Sequence, residues 1–268
     1  MRLIVFLGLF LPVVIAGMSV YAFNVNKKFL KLLVAFSGAY IISLVFNELL
    51  PQIYSSLEHS SLQHNCVHES HTLFHLSQHH ILGLLILAGF FIQLILDYIT
   101  KGVEHGHIGH THTHNCEHCE HTEKSISIIP IMIGLFLHSF LEGMPLADNL
   151  NNIELQNRLL TGIIIHNIPI SIVLVSLMIQ SKITKTKLIV FLCIFALSAP
   201  AGALFTHILG NHAIESSVHF FNYIMALVIG IFLHISTTIL FETDEGHKFN
   251  LIKFITMLFG VFVAIVHF

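Results

Sequence analysis

Two apolar stretches decide how this chain is built, and both carry ionisable side chains. The first is GLFLHSFLEGMP at residues 134–145, and the second is GIIIHNIPIS at residues 162–171. Each lies in an apolar run long enough to cross a bilayer, and each contains a proline close to its histidine. Ionisable groups in hydrocarbon are costly, so they face a protein interior or a wet cavity and mark functional sites.

The spacing of these polar residues predicts a metal centre. His138 and Glu142 are four residues apart, so on an α-helix they lie on one face, one turn apart. An imidazole nitrogen and a carboxylate oxygen at that spacing can hold one divalent metal ion, with His166 supplying a third ligand and Asn167 a carbonyl oxygen. The alternative interpretation is a polar pair that only joins neighbouring helices.

The composition places the chain in a membrane. Of its 268 residues, 54% are hydrophobic and 10% are charged, whereas soluble domains carry about 25% charged residues. The net charge of -3 is small, and the sequence has no basic patch that would indicate nucleic acid as a partner. The prediction is an all-α integral membrane protein whose partner is the lipid bilayer.

Eight apolar spans of about 20 residues each, the length that a bilayer core requires, divide the chain. The first span resembles a signal peptide, but its apolar run continues through Phe23 and is followed by lysines, which predicts a retained helix. Residues 1–268 are expected to form a single transmembrane transporter domain. The eight spans run over residues 3–23, 32–54, 81–99, 126–147, 159–179, 188–209, 220–241 and 250–268.

The basic residues fall on one side of the membrane if the spans alternate in direction. Ten of the twelve Lys and Arg residues lie in the loops after spans one, three, five and seven or at the start of span eight, and only Arg2 and Arg158 lie on the other side. The positive-inside rule then makes the lysine side cytoplasmic and both termini extracytoplasmic.

Histidine is the most unusual feature of the composition, since 14 of the 22 histidines lie in two loops. The loop at residues 58–80 is predicted to be extracytoplasmic, and the loop at residues 102–124 is predicted to be cytoplasmic. Histidines in such polar stretches cannot build a core, but they can chelate borderline divalent ions. Cys116 and Cys119 add a Cys-x-x-Cys pair, which alone is a weak zinc signature. Solvated loops with incidental histidines are the alternative.

Two other polar residues lie in or near the spans. Glu48 is near the outer end of span two, where it either lines an entrance or sits at the level of the lipid headgroups, and the second interpretation is slightly preferred. His234 is deeper in span seven, where it either hydrogen-bonds to a neighbouring helix or lines a route across the membrane.

The paired motifs resemble those of the ZIP (Zrt/Irt-like) family of divalent metal transporters. The matching segments are HSxxEG at residues 138–143 on span four and HNxP at residues 166–169 on span five. The eight spans, the outside termini, the histidine-rich loop after span three and LLP at residues 49–51 agree with the family layout. The resemblance covers the whole chain in layout and is specific in spans four and five.

The resemblance implies a transporter, not an enzyme, that moves zinc toward the cytoplasm, or a similar divalent ion such as Fe²⁺ or Cd²⁺. The ion would pass through a site formed by spans four and five. Spans one to three and six to eight would be inverted repeats around these central helices. Family members are thought to move two rigid bundles relative to one another and often form homodimers.

The chain departs from the family pattern at two positions. The family usually has a carboxylate directly after the span-five proline and another before the span-six proline, where this chain has Ile170 and Ala199. Both acids would serve a second metal ion, and their loss suits zinc better than Mg²⁺ or Mn²⁺. The implied single-metal centre draws on His138, Glu142 and His166, with Asn167 and Ser139 as weaker ligands. A divergent member that binds metal but transports it poorly is the alternative.

Three other classes of protein are alternatives to an uptake transporter. Metal exporters of the cation-diffusion type carry histidine-rich cytoplasmic loops, but they normally have six spans and a soluble C-terminal domain. An intramembrane metalloenzyme would use three ligands and an open position, but the chain has no His-Glu-x-x-His motif and no obvious nucleophile. A metal sensor without flux is the third. The chain shows no eukaryotic targeting segment, and its compactness favours a bacterial inner membrane.

Overall fold

The computed structural model of the protein describes residues 3–23, 26–63, 78–100, 128–147, 153–212, 217–241 and 250–267. Most of the two histidine-rich loops, at residues 64–77 and 101–127, lies outside the described residues. Where the chain is described, every regular element is helical. The α-helices are α1 (Leu3–Ser19), α2 (Lys27–Leu44), α3 (Leu50–Gln63), α4 (Gln78–Thr100), α5 (Ile128–Gly143), α6 (Ile153–Gln180), α7 (Lys185–His212), α8 (Ser217–Phe241) and α9 (Leu251–His267).

The eight predicted spans are confirmed. Among the described residues, six helical segments are long and apolar enough to cross a membrane, and α1 and α9 are shorter apolar helices of 17 residues each. Span two is made of α2 and α3 joined by a π-helical turn, Val45–Leu49. It runs to Gln63, beyond the predicted end at residue 54. The π turn precedes Pro51, which has no N–H for the regular hydrogen-bond ladder.

The helices pack as two groups. The first bundle contains α1, α5, α6 and α7, and the second bundle contains α2, α4, α8 and α9. Contacts of α2 with α6 and of α4 with α5 join the two bundles. The helix α6 is the most enclosed of the candidate spans, with 72% of its apolar window buried, whereas α4 has only 22% buried. The middle of α6 therefore lies at the centre of the fold.

The packing partners follow the pattern expected of inverted repeats. Span three packs on span seven, and the corresponding pair is span eight on span two. Span four packs on span six, and the corresponding pair is span five on span one. These pairs are exchanged when spans one to three are matched to spans six to eight and span four to span five. Successive spans cross the membrane in alternating directions. Because the matched spans are separated by an odd number of positions along the chain, they have opposite orientations.

Glycines allow the helices within each bundle to approach closely. Between α5 and α7, a Cβ on Gly143 would lie 2.0 Å from the carbonyl oxygen of Ala199, and one on Gly202 would lie 1.9 Å from that of Phe140. Small residues at such crossings give membrane helices their van der Waals contact, since lipid provides no hydrophobic driving force. The crossing of α4 and α8 is built in the same way around Gly89 and Gly230.

Candidate metal centre

His138 and Glu142 lie on the buried face of α5, as their four-residue spacing predicted. Both side chains are completely buried, and His138 Nε2 lies 3.3 Å from Glu142 Oε1. The helix ends one residue later, at Gly143. The last turn of a helix carries the negative end of its dipole, so the carboxylate and the helix end together create a potential that attracts cations.

His166 brings the second imidazole to the same carboxylate from the middle of α6. Its side chain is 1% exposed, and its Nε2 lies 3.7 Å from Glu142 Oε1. The rings of His138 and His166 have centroids 5.7 Å apart and planes crossed at 74°. One donor atom from each of the three residues lies within 4.8 Å of the other two. The structure therefore brings these three predicted residues together.

Two of the three separations between donor atoms are close to those around one tetrahedral ion. Zinc–ligand bonds of about 2.0–2.2 Å place the donors of a tetrahedral site about 3.3–3.6 Å apart. The 3.3 Å and 3.7 Å separations at Glu142 Oε1 are close to this range. Within the described part of the chain, no other group of three His, Cys, Asp or Glu side chains is so closely gathered. Chemically, the arrangement provides two nitrogen donors and one oxygen donor for a divalent cation.

Gln93 of α4 belongs to the surroundings of this centre and was missed in the sequence. Its side chain is completely buried, and its Oε1 lies 3.0 Å from His138 Nδ1. With the amide oxygen as acceptor, Nδ1 donates its proton and Nε2 keeps its lone pair on the side of Glu142. An amide in the middle of the apolar run of span three was the available signal.

Ser139 and Asn167, the two weaker predicted ligands, are also buried. Ser139 is 1% exposed and follows His138 on α5, while Asn167 is 2% exposed and follows His166 on α6. The Oδ1 atom of Asn167 is buried and accepts no hydrogen bond from the residues that the structure describes. A buried amide oxygen of this kind calls for an explanation, such as a cation or a water.

The two positions where family acids are missing are apolar in the structure as well. Ile170 is completely buried and belongs to an apolar cluster that includes Leu174 and Leu135. Ala199 is 3% exposed, and its carbonyl oxygen is the nearest atom that a Cβ on Gly143 would meet in the α5–α7 crossing. Glu142 is therefore the only carboxylate in the group of three described residues.

Glu48 and His234, which the sequence left ambiguous, have defined neighbours. Glu48 lies in the π turn and forms an ion pair with Arg158 of α6, which also pairs with Glu154. His234 is buried on α8 and presents its ring to the ring of Phe90 on α4, with centroids 4.9 Å apart. The described geometry places neither residue in the group formed by the two centre histidines and Glu142.

The fold and the site together define a class of protein. The chain is a multi-pass helical membrane protein with a histidine–carboxylate centre between two adjacent buried helices. A sequence model of the family described as "ZIP Zinc transporter" matches residues 100–267, more than half of the chain. The chain belongs to the ZIP zinc transporter family, as the paired motifs indicated.

Curated relatives carry the same description. Zinc transporter ZIP9 of Xenopus tropicalis is 25% identical over 168 residues, which cover 61% of this chain and 52% of that protein. Zinc transporter ZIP9 of Micropogonias undulatus is 26% identical over 168 residues, which cover 61% of this chain and 51% of that protein. The chain thus spans about half the length of the curated relatives it matches.

The family description bears on the competing classes. It names a transporter, which agrees with the prediction that the chain is not an enzyme. It also names the family predicted from the motifs at residues 138–143 and 166–169, rather than the exporters of the cation-diffusion type.

Proposed function

We propose that this protein carries divalent metal ions across a membrane through a single-ion centre formed by His138, Glu142 and His166, with zinc as the principal ion. The observation that supports this most directly is the position of Glu142 Oε1, which is 3.3 Å and 3.7 Å from two imidazole nitrogens in a buried part of the fold. The family description and the names of the ZIP9 relatives support zinc as the ion.

The donor set is the reason to expect zinc or a similar borderline ion. Two imidazoles and one carboxylate suit zinc, and Fe²⁺ and Cd²⁺ are the secondary substrates expected from the same ligands. Ser139 and the buried Oδ1 of Asn167 are proposed as weaker ligands that replace water as the ion enters. Three firm ligands and exchangeable further positions hold an ion without trapping it.

The proposed direction of transport is toward the cytoplasm, with both termini outside. The direction is the one that the family resemblance implies. The orientation is supported by the lysine distribution, since ten of twelve basic residues follow the odd-numbered spans. The location in a bacterial inner membrane stays a prediction from the sequence, and the relatives named above are from Xenopus and Micropogonias.

The two histidine-rich loops are proposed to bind the ion on either side of the metal centre. The extracytoplasmic loop at residues 58–80 would concentrate ions at the outer mouth, and the cytoplasmic loop at residues 102–124 would accept them after release. The ion itself is proposed to pass along α5 and α6, the two helices that carry the centre. Homodimer formation stays a prediction from the resemblance.

Uptake of ⁶⁵Zn²⁺ into proteoliposomes tests the proposed centre. We expect His138→Leu and Glu142→Gln to reduce the initial rate to that of empty liposomes, because each removes a donor atom from the group of three. Matched controls make the same changes elsewhere: His234→Leu alters a buried histidine beside Phe90, and Glu154→Gln alters a carboxylate that is 73% exposed. Both controls are expected to transport zinc at the wild-type rate.

Two results would contradict the proposal in different ways. If both centre variants fold and transport zinc like the wild type, the three residues are not the ligands. If the wild type binds zinc saturably and the vesicles accumulate none, the protein is a sensor or a non-transporting member of the family.

A further inference from the structure

The helix α4 has one buried stripe, and the only strongly polar side chain in its middle is Gln93. The stripe recurs every three, four or seven residues, which is the spacing of one helix face, while most other positions of α4 are apolar residues that are exposed or partly exposed. Burying an amide at the centre of this stripe costs free energy unless the amide is hydrogen-bonded. The buried residues are Leu82, Gly89, Gln93, Leu96 and Thr100.

Gln93 contacts the ring nitrogen of His138 that faces away from the proposed metal site. Gln93 Oε1 lies 3.0 Å from His138 Nδ1, whereas His138 Nε2 lies 3.3 Å from Glu142 Oε1. Since the two nitrogens are on opposite sides of the imidazole ring, Gln93 lies behind His138 and not among the atoms that would surround an ion. Gln93 therefore acts on the ligand and is not a ligand itself.

This hydrogen bond decides which nitrogen of His138 is available. A neutral imidazole carries one proton, and an acceptor at Nδ1 holds the proton there and leaves the Nε2 lone pair for a cation. The same bond fixes the orientation of the ring and increases the electron density at Nε2. Partners of this kind behind metal-binding histidines commonly determine how tightly the metal is held.

We propose that Gln93 is a positioning residue for the metal centre: its side-chain oxygen holds His138 in the tautomer and orientation that present Nε2 to the transported ion. The inference rests on the proposed function, in which His138 is a ligand. The residue lies on α4 of the second bundle, while His138 lies on α5 of the first. The centre is thus completed by a contact between the bundles.

The first test is the concentration dependence of ⁶⁵Zn²⁺ uptake in proteoliposomes. Gln93→Leu keeps the size of the side chain and removes the acceptor, so KM is expected to rise about 10- to 100-fold. Gln93→Glu keeps an acceptor at the same place and is expected to have a KM no higher than the wild type. A rise in KM that the Glu variant reverses is not expected of a residue that only joins two helices.

The matched control is Gln156 of α6, another buried glutamine. Its Nε2 donates to the carbonyl oxygen of Leu146 at 3.0 Å, so Gln156→Leu also removes a buried hydrogen bond but leaves His138 untouched. This variant is expected to unfold at a lower temperature with the wild-type KM. If Gln93→Leu folds and has the KM of Gln156→Leu, the proposal is wrong. If Gln93→Leu does not fold, a raised KM in Gln93→Glu overturns it.

A second measurement does not depend on transport. The ¹⁵N spectrum of histidine-labelled, metal-free protein reports which ring nitrogen carries the proton, and the His138 signals are those absent from His138→Leu. We expect Nδ1 of His138 to be protonated in the wild type and the two tautomers to be mixed in Gln93→Leu. An Nε2-protonated His138 in the wild type would refute the proposal even if zinc is transported. Failure of the wild type to transport zinc would refute the proposed function and leave this result standing.

Discussion

At the scale of single residues, Ile170 is the position where this chain differs most clearly from the pattern it resembles. Ile170 lies one turn beyond His166 on α6, as Glu142 lies one turn beyond His138 on α5. The two helices thus present the same spacing, with a carboxylate on one and a completely buried isoleucine on the other. The single carboxylate keeps the centre rich in nitrogen and low in negative charge.

Ile170→Glu is therefore expected to change the preference of the centre among ions. A second carboxylate beside the two imidazoles adds hard oxygen donors, which favour Mn²⁺ relative to zinc. Competition by Mn²⁺ in the ⁶⁵Zn²⁺ uptake assay measures this, and Mn²⁺ should inhibit the variant at lower concentrations than the wild type. Ile179→Glu makes the same change near the end of α6, where Ile179 is 41% exposed, and should leave the competition unchanged. Equal inhibition of folded Ile170→Glu and wild type would contradict the prediction.

The sequence predicted part of the centre because part of it is local. The pairing of His138 with Glu142 follows from helix geometry alone. The contact of this pair with His166 depends on a second helix, and the paired motifs indicated which helix that is. Gln93 is 45 residues from His138, and nothing within span three indicates which helix its buried stripe contacts. Tertiary packing decides that contact, so the sequence could not predict it.

At the scale of helices, the glycine crossings set how closely the elements of a bundle approach. A Cβ on Gly202 of α7 would lie 1.9 Å from the carbonyl oxygen of Phe140 on α5. The clash is with backbone, so only a shift of one helix can relieve it. Because α5 carries His138 and Glu142, such a shift also moves the proposed ligands.

Gly202→Ala is expected to lower the free energy of unfolding by about 1–3 kcal/mol and to slow zinc uptake. Gly83→Ala on α4 is the matched control, since a Cβ at Gly83 meets no atom within 4 Å. There the change should be neutral or stabilising by up to about 1 kcal/mol, because alanine is the better helix former. Thermal unfolding of both variants in the same detergent makes the comparison. Equal stability of the two would mean that the α5–α7 crossing is looser than the structure has it.

The π turn of span two shows where sequence patterns stop being informative at this scale. The apolar run through residues 32–54 predicted a helix, and a helix is present, but the turn Val45–Leu49 alters its register before Pro51. The wider turn lies where Glu48 pairs with Arg158 of α6. Helix propensity does not distinguish a π turn from an α turn, and the ion pair comes from a span 110 residues away.

At the scale of the whole molecule, the bilayer made the span count predictable and left the packing open. Hydrocarbon requires every backbone group to be satisfied within its own helix, so apolar runs of about 20 residues are reliable signals. Which helices become neighbours depends on small residues and a few polar contacts that have no periodic signal. The resemblance implied two bundles and inverted repeats, but which helices form each bundle was learned from the structure.

The orientation of the molecule follows from the same spans and can be tested at the two ends of α6. This helix has 28 residues, about 42 Å at 1.5 Å per residue, which is more than the roughly 30 Å hydrocarbon core. Its second turn carries Arg158, one of two basic residues on the proposed outer side, which pairs with Glu48 and Glu154. The opposite end leads to the lysines at residues 182–187. The two ends of α6 therefore differ in charge.

Cysteine labelling in intact cells should read this orientation directly. Glu154 and Thr184 lie exposed beyond opposite ends of the apolar part of α6. Glu154→Cys and Thr184→Cys therefore report the two sides of the membrane. Each is made in a chain whose four cysteines are replaced by serine. A membrane-impermeant maleimide is expected to label Glu154→Cys in intact cells and Thr184→Cys only after permeabilisation, because the lysine-rich side stays in the cytoplasm. Labelling of both after permeabilisation is the control for accessibility. The reverse pattern in intact cells would invert the molecule, and the proposed direction of transport would have to be reversed with it.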